Sequence, residues 1–148
     1  MVQFEGEKPF SLPPRELWPK LSDLQFLVQC LPDVAEVRDV GDKTATLVVR
    51  PGLSFMRGEL QLVMEKTEET PPTSAKLALR TKGIGSNSEV VAAIQLVDQS
   101  GGTLVRWQAE ITQLGGLLKM VPKGLIQGAA QQIIQDVMNN VEAKLASA

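Results

Sequence analysis

The chain has 148 residues, 43% of them hydrophobic and 4% aromatic, with 15 basic and 17 acidic side chains for a net charge of -2. That length fits a single domain over residues 1–148 that can bury a core without covalent staples. The near-neutral, interspersed charge and the scarcity of stacking aromatics argue against a nucleic-acid partner. Histidine and tyrosine are absent, which closes Ser-His and Cys-His catalysis and the common zinc sites that need imidazole.

The N-terminal stretch MVQFEGEKPF lacks the basic-then-apolar layout of a secretion signal, and no apolar run reaches membrane-spanning length. A cytoplasmic location is expected. Residues 2–11 alternate, with Phe4 and Phe10 on one face, and predict a first strand. Pro13-Pro14 ends it, and Pro14 suits the first turn of a helix. The following segment, RELWPKLSDLQFLVQCL, reads as two short helices. Ser22 and Asp23 are candidate caps for the second, and Pro19 should shorten or kink the first. Cys30 is alone, so neither an internal disulfide nor a four-cysteine metal site is available. Its apolar setting predicts a buried thiol of raised pKa.

From Val34 the period becomes two. Strands are predicted over Val34–Val40, over KTATLVV after a turn at Gly41-Asp42, and over Arg57–Glu65. Two more follow in SAKLALRTK and residues 88–97, and a last one in TLVRWQAEITQ after the hairpin signal Ser100-Gly101-Gly102. Gly83-Ile84-Gly85 lacks the Lys-Ser/Thr and the following helix of a phosphate loop, and is read as a turn or bend. Short turns imply an antiparallel meander with one wet face.

After Gly115 the pattern turns helical. Leu118, Val121, Leu125, Ala129, Ile133, Val137 and Val141 recur every three or four residues and predict one apolar stripe. A helix from Pro122 to Ala146 would be roughly 37 Å long, enough to cover strands of about ten residues. Gly115, Gly116, Gly124, Gly128 and Pro122 are poor helix formers. They predict a short helical turn, a break, and then the long helix with Pro122 near its first position. Weak local stability there would suit a gate. Leu117, Leu118, Met120 and Val121 flank Lys119 and Lys123, a candidate membrane-touching edge.

Several stretches together resemble a known family: FSLPPRELWPKLSD, CLPDVAEV at 30–37, FMRGELQLVMEK at 55–66, KGIGSNSEV, SGGTLVRWQAEI and QLGGLL. In this order and spacing they are similar to the carbon monoxide dehydrogenase G-subunit-like branch of the START-like, pollen-allergen-like (SRPBCC) superfamily. The resemblance implies an α+β helix-grip fold. In that fold a curved antiparallel sheet of about seven strands, in the order β-α-α-β6-α, wraps a long C-terminal helix around a hydrophobic cavity. It also implies binding of lipid, sterol, quinone-like or polyketide ligands, and an association with molybdenum-containing CO dehydrogenases, in membrane attachment or quinone handling. Pro19, Pro122 and the want of a polar cluster resembling an active site depart from the pattern.

The strands' inward faces supply Leu47, Leu62, Leu77, Leu79, Ile94 and Trp107, and the C-terminal segment supplies Leu118, Val121, Leu125 and Ala129. The plain reading of these ten is core packing. The functional reading is that Ala45, Ala75, Ala92 and Ala109 leave an apolar pocket which the ten line. The leading expectation is therefore non-enzymatic binding of a hydrophobic small molecule, lipid or quinone-like, between sheet and C-terminal helix. No cofactor, metal site or catalytic residue is expected. The alternative is an accessory protein that docks a redox enzyme to a partner or membrane surface. A third, a cyclase- or hydrolase-type enzyme, would need an inward charge beside the cavity, for which Lys8 is the one candidate from the alternation.

Overall fold

Period-two alternation builds the larger part of this molecule. The computed structural model describes residues 2–52 and 58–146. Strand β1 (Val2–Phe10) precedes helices α1 (Pro14–Leu21) and α2 (Leu24–Cys30). Six strands follow: β2 (Val34–Val40), β3 (Thr44–Val49), β4 (Leu60–Thr70), β5 (Ser74–Gly83), β6 (Ser86–Gln99) and β7 (Gly102–Gly116). A 3-10 turn at Leu117–Met120 leads into α3 (Lys123–Ala146). The strands form one antiparallel sheet in the order β1-β7-β6-β5-β4-β3-β2. This is the expected helix-grip α+β architecture. Arg57, where alternation in the fourth strand begins, lies outside the described residues.

Paired residues of neighbouring strands share a face, so the register maps the helix side of the sheet row by row. One row runs Ala45, Met64, Leu79, Val90, Ile111, Val2. The next runs Leu47, Leu62, Thr81, Ser88, Leu114. On the other side of the first lie Lys66, Leu77, Ala92, Ala109, Phe4, and then Glu69, Ala75, Ile94, Trp107, Gly6. Gly6 has a steric reason: a Cβ there would lie 2.6 Å from the Trp107 ring.

The short helices follow their local signals. Pro14 occupies the first turn of α1, which passes through Pro19 and ends at Leu21. Asp23 caps α2 by accepting from the Gln25 backbone N–H at 3.0 Å. Ser22 instead closes α1, its hydroxyl donating to the Trp18 carbonyl. Leu17, Leu21, Leu24, Leu27, Val28 and Cys30 bury the helices' apolar side.

Helix α3 lies along the edge strand β1 and reaches α2. Gln127 donates to the Gln3 carbonyl at 2.7 Å, covering that edge, and Asn140 donates to the Cys30 carbonyl at 2.9 Å. Its buried side differs from the expected stripe. Ile126, Met138 and Val141 are buried, with Ala130, Ile134, Val137 and Leu145 packed beside them, whereas Leu125 is 55% exposed and Ile133 is exposed. The cause is the break. Val121 is extended (φ -83°, ψ 133°), so the periodicity counted from Leu118 does not carry across Pro122. The helix restarts about one residue out of phase.

Candidate functional site

One domain ordinarily has one contiguous core. Here the buried side chains form two clusters. The larger joins α1, α2 and the C-terminal part of α3 to Leu47, Leu62, Leu77, Val105 and Trp107. The smaller joins Ile126 to Val2, Phe4, Ala92, Ala109 and Ile111. Four side chains touch both clusters and are themselves only partly buried: Leu79, Leu114, Val121 and Ile134. Leu79 belongs to β5, at the middle of the sheet, on the face that the helices cover. It is nevertheless only partly buried there. Val90 and Ile94, also inward on β6, share this partial exposure. Ala92 and Ala109, in contrast, are covered from the side of Ile126.

The N-terminal approach to α3 is tied to the β5–β6 turn. Gly116 adopts φ +62°, and a Cβ there would collide with the Gly85 carbonyl. Only glycine lets the chain pass this closely over the β5–β6 turn. The Leu117 amide donates to the same carbonyl at 3.1 Å. Leu118 then turns inward and is buried, while Leu117 and Met120 are 59% and 83% exposed.

Polar groups on the helix side are few. Thr81 and Ser88, paired across β5 and β6, join their hydroxyls. Lys8 does point inward, and it pairs with Glu142 of α3 at 3.3 Å. Lys66 is a second inward lysine. It continues the Leu60, Leu62, Met64 alternation one step past the predicted end of the strand. Its ammonium donates to the Ser22 carbonyl at 2.8 Å and pairs with Glu69 at 3.4 Å. Both inward cations are thus held in structural contacts. Burial pushes the Cys30 thiol up, against a smaller opposing effect of Lys144, which leaves it a poor nucleophile. Among the described residues, no three His, Cys, Asp or Glu side chains come together to hold a metal.

The opposite face carries two open depressions. One, of about 320 Å3, is lined in part by Glu68, Lys76, Gln95, Arg106 and Gln108. The other, of about 620 Å3, runs from Gln108 and Glu110 round the β1 edge to Gln127 and Gln131. Their linings mix these polar groups with apolar ones, Ile94 and Trp107 in the first and Phe4 and Val91 in the second.

Of the ten side chains proposed from sequence, Leu47, Leu62, Leu77 and Trp107 are buried in the larger cluster and Leu118 joins them. Leu79 and Val121 lie in the seam itself, and Ile94 packs beside the larger cluster. Ala129 is half-buried. Leu125 turns outward, and its expected place is taken by Ile126. Sequence reading missed Leu114 and Ile134. Alternation continued beyond Ile111 points Gln113 inward and Leu114 outward. The register shift at Glu89/Val90 reverses that phase, so periodicity alone misses Leu114. Restarting the helical period at Pro122, in contrast, would have found Ile134.

A family model for CoxG, the G-subunit of carbon monoxide dehydrogenase, matches residues 6–146. The chain belongs to the CoxG family. No curated protein matches it. Among solved structures, this CoxG-family chain is similar to a conserved protein from Geobacillus kaustophilus, at 19% identity and TM-score 0.89, with 99% of this chain and 96% of that one covered. It is also similar to the protein XoxI from Bacillus cereus, at 11% identity and TM-score 0.72, covering 97% and 95% of the two chains. A protein from Chromobacterium violaceum matches at 15% identity and TM-score 0.68, over 96% of this chain and 99% of that one. At such identities these likenesses establish the CoxG-family chain's fold alone. No helix among the described residues is long and apolar enough to cross a membrane.

Proposed function

We propose that the protein holds a hydrophobic small molecule, lipid- or quinone-like, in the seam between the sheet and α3. The observation that carries this reading is the partial exposure of Leu79, Leu114, Val121 and Ile134 between two otherwise buried clusters. Apolar burial is worth about 25 cal/mol per Å2. A ligand hiding roughly 300 Å2 of apolar surface would therefore gain about 7 kcal/mol before the cost of association. The glycine-containing start of α3 supplies a segment of low local stability through which such a molecule can enter. Native mass spectrometry of the purified protein, before and after solvent extraction, tests the reading. An adduct that extraction removes is expected. A clean apo mass, with no thermal shift on adding quinones or lipids, contradicts it.

A second reading has its own support. Leu117, Met120 and Leu125 are exposed beside Lys119 and Lys123, an apolar edge with positive charge of the kind that meets an anionic membrane. Membership of the CoxG family favours an accessory role in which this edge docks a redox enzyme or a membrane. Liposome flotation and pull-down, with Met120→Ser and Leu125→Ser as controls, distinguish the two readings. Loss of binding in the variants supports docking, and its absence in the parent protein removes it.

A further inference from the structure

Resting on the ligand-binding reading above, we infer that the Thr81–Ser88 hydroxyl pair is the polar contact of the site. It would donate one hydrogen bond to a neutral carbonyl of an otherwise apolar ligand.

The pair lies on the helix side of the two central strands, both residues are half-buried, and Leu62 and Leu114 flank it in its row. The neighbouring row brings Met64, Leu79 and Val90. Two of these neighbours, Leu79 and Leu114, are seam residues. The hydroxyls therefore open onto the space where the ligand is placed.

Proton accounting gives the chemistry. Each hydroxyl has one proton and can also accept. The contact between them uses one proton, whichever atom donates. The other proton has no acceptor among the described residues, since that contact is the one hydrogen bond made by either side chain. A spare donor in apolar surroundings favours a ligand that brings an acceptor.

Charge decides which acceptor. The row holding the pair contains only Leu47, Leu62 and Leu114 besides, and the adjoining row from Ala45 to Val2 is wholly apolar. A carboxylate placed there would lose its water and gain no counter-charge. A ketone or quinone-type carbonyl needs only the one donor. The two inward lysines are engaged elsewhere, with Glu142 and with Ser22 and Glu69.

The test compares 1-tetralone with tetralin, which share a carbon skeleton and differ in one carbonyl. Titration calorimetry on the full chain should give the ketone about tenfold tighter binding, the worth of one well-placed hydrogen bond. In the double variant Thr81→Val, Ser88→Ala, the two probes should bind within about twofold of each other. The exchange variant Thr81→Ser, Ser88→Thr keeps both hydroxyls and should keep the preference, which controls for repacking. Equal binding of both probes to the parent protein, or a preference that survives the double variant, overturns the hydroxyl assignment alone. If neither probe binds the parent protein, the ligand-binding reading falls, and this assignment with it.

Discussion

Ile84 sits at the tip of the β5–β6 hairpin with φ +56°, followed by Gly85 at φ +68°. A two-residue loop of this hand normally uses Asn-Gly, because a β-branched side chain is crowded in the left-handed region. The isoleucine is also substantially exposed, with Gly58 next to it and Leu117 beyond Gly85. Ile84→Asn should therefore raise stability by about 1 kcal/mol, read as a higher denaturant midpoint with an unchanged slope. On the outer face, Arg80 bridges Glu65 at 3.2 Å and Glu89 at 3.0 Å. The guanidinium's hydrogen bond, with help from the Thr112 hydroxyl, holds the Glu89 carboxyl below the usual carboxylate range. A depressed folded-state pKa contributes stability above the unfolded-state value and loses it as pH falls through the folded one. Arg80→Gln should move the Glu89 titration upward in an NMR pH series, and Thr112 should keep the return incomplete. An unchanged Glu89 midpoint would contradict the assignment.

Among the elements, α3 is the most informative, through its glycines. A Cβ at Gly124 or Gly128 meets nothing within 4 Å, so packing does not require glycine at either place. Gly128→Ala should stabilise the helix by about 0.5–1 kcal/mol and Gly124→Ala, in the first turn, by less. If the start of α3 is a gate, ligand exchange should slow in the same variants. Stability that rises with exchange unchanged would remove the gate. The strands were legible from sequence because one wet face enforces alternation, as Val105, Trp107, Ala109 and Ile111 show. The α3 stripe was legible only from Val137 onward, since the extended Val121 resets the phase. Lys66 escaped because β4 runs to Thr70, five residues past the expected end at Glu65. Thr81 and Ser88 carry no apolar signal, although the same alternation places them inward.

For the molecule as a whole, the sheet order and the two-layer arrangement followed from the element order and the resemblance, whereas the seam did not. It depends on how far α3, drawn to the β1 edge by Gln127 and to α2 by Asn140, stands from the middle of the sheet. Side-chain periodicity carries no such distance. That placement also explains why small residues fall where they do. Ala92 and Ala109 underlie the Ile126 end of the helix, and the partly open surface lies beside them at Leu79 and Val90. Occupation of this seam by an apolar ligand is open to direct observation in methyl-labelled NMR spectra recorded during addition of 1-tetralone. The methyl signals of Leu79, Leu114, Val121 and Ile134 should shift together and saturably, with those of the exposed Leu117 and Leu125 little changed. Shifts confined to the exposed methyls, or none at the four seam residues, would rule that occupation out.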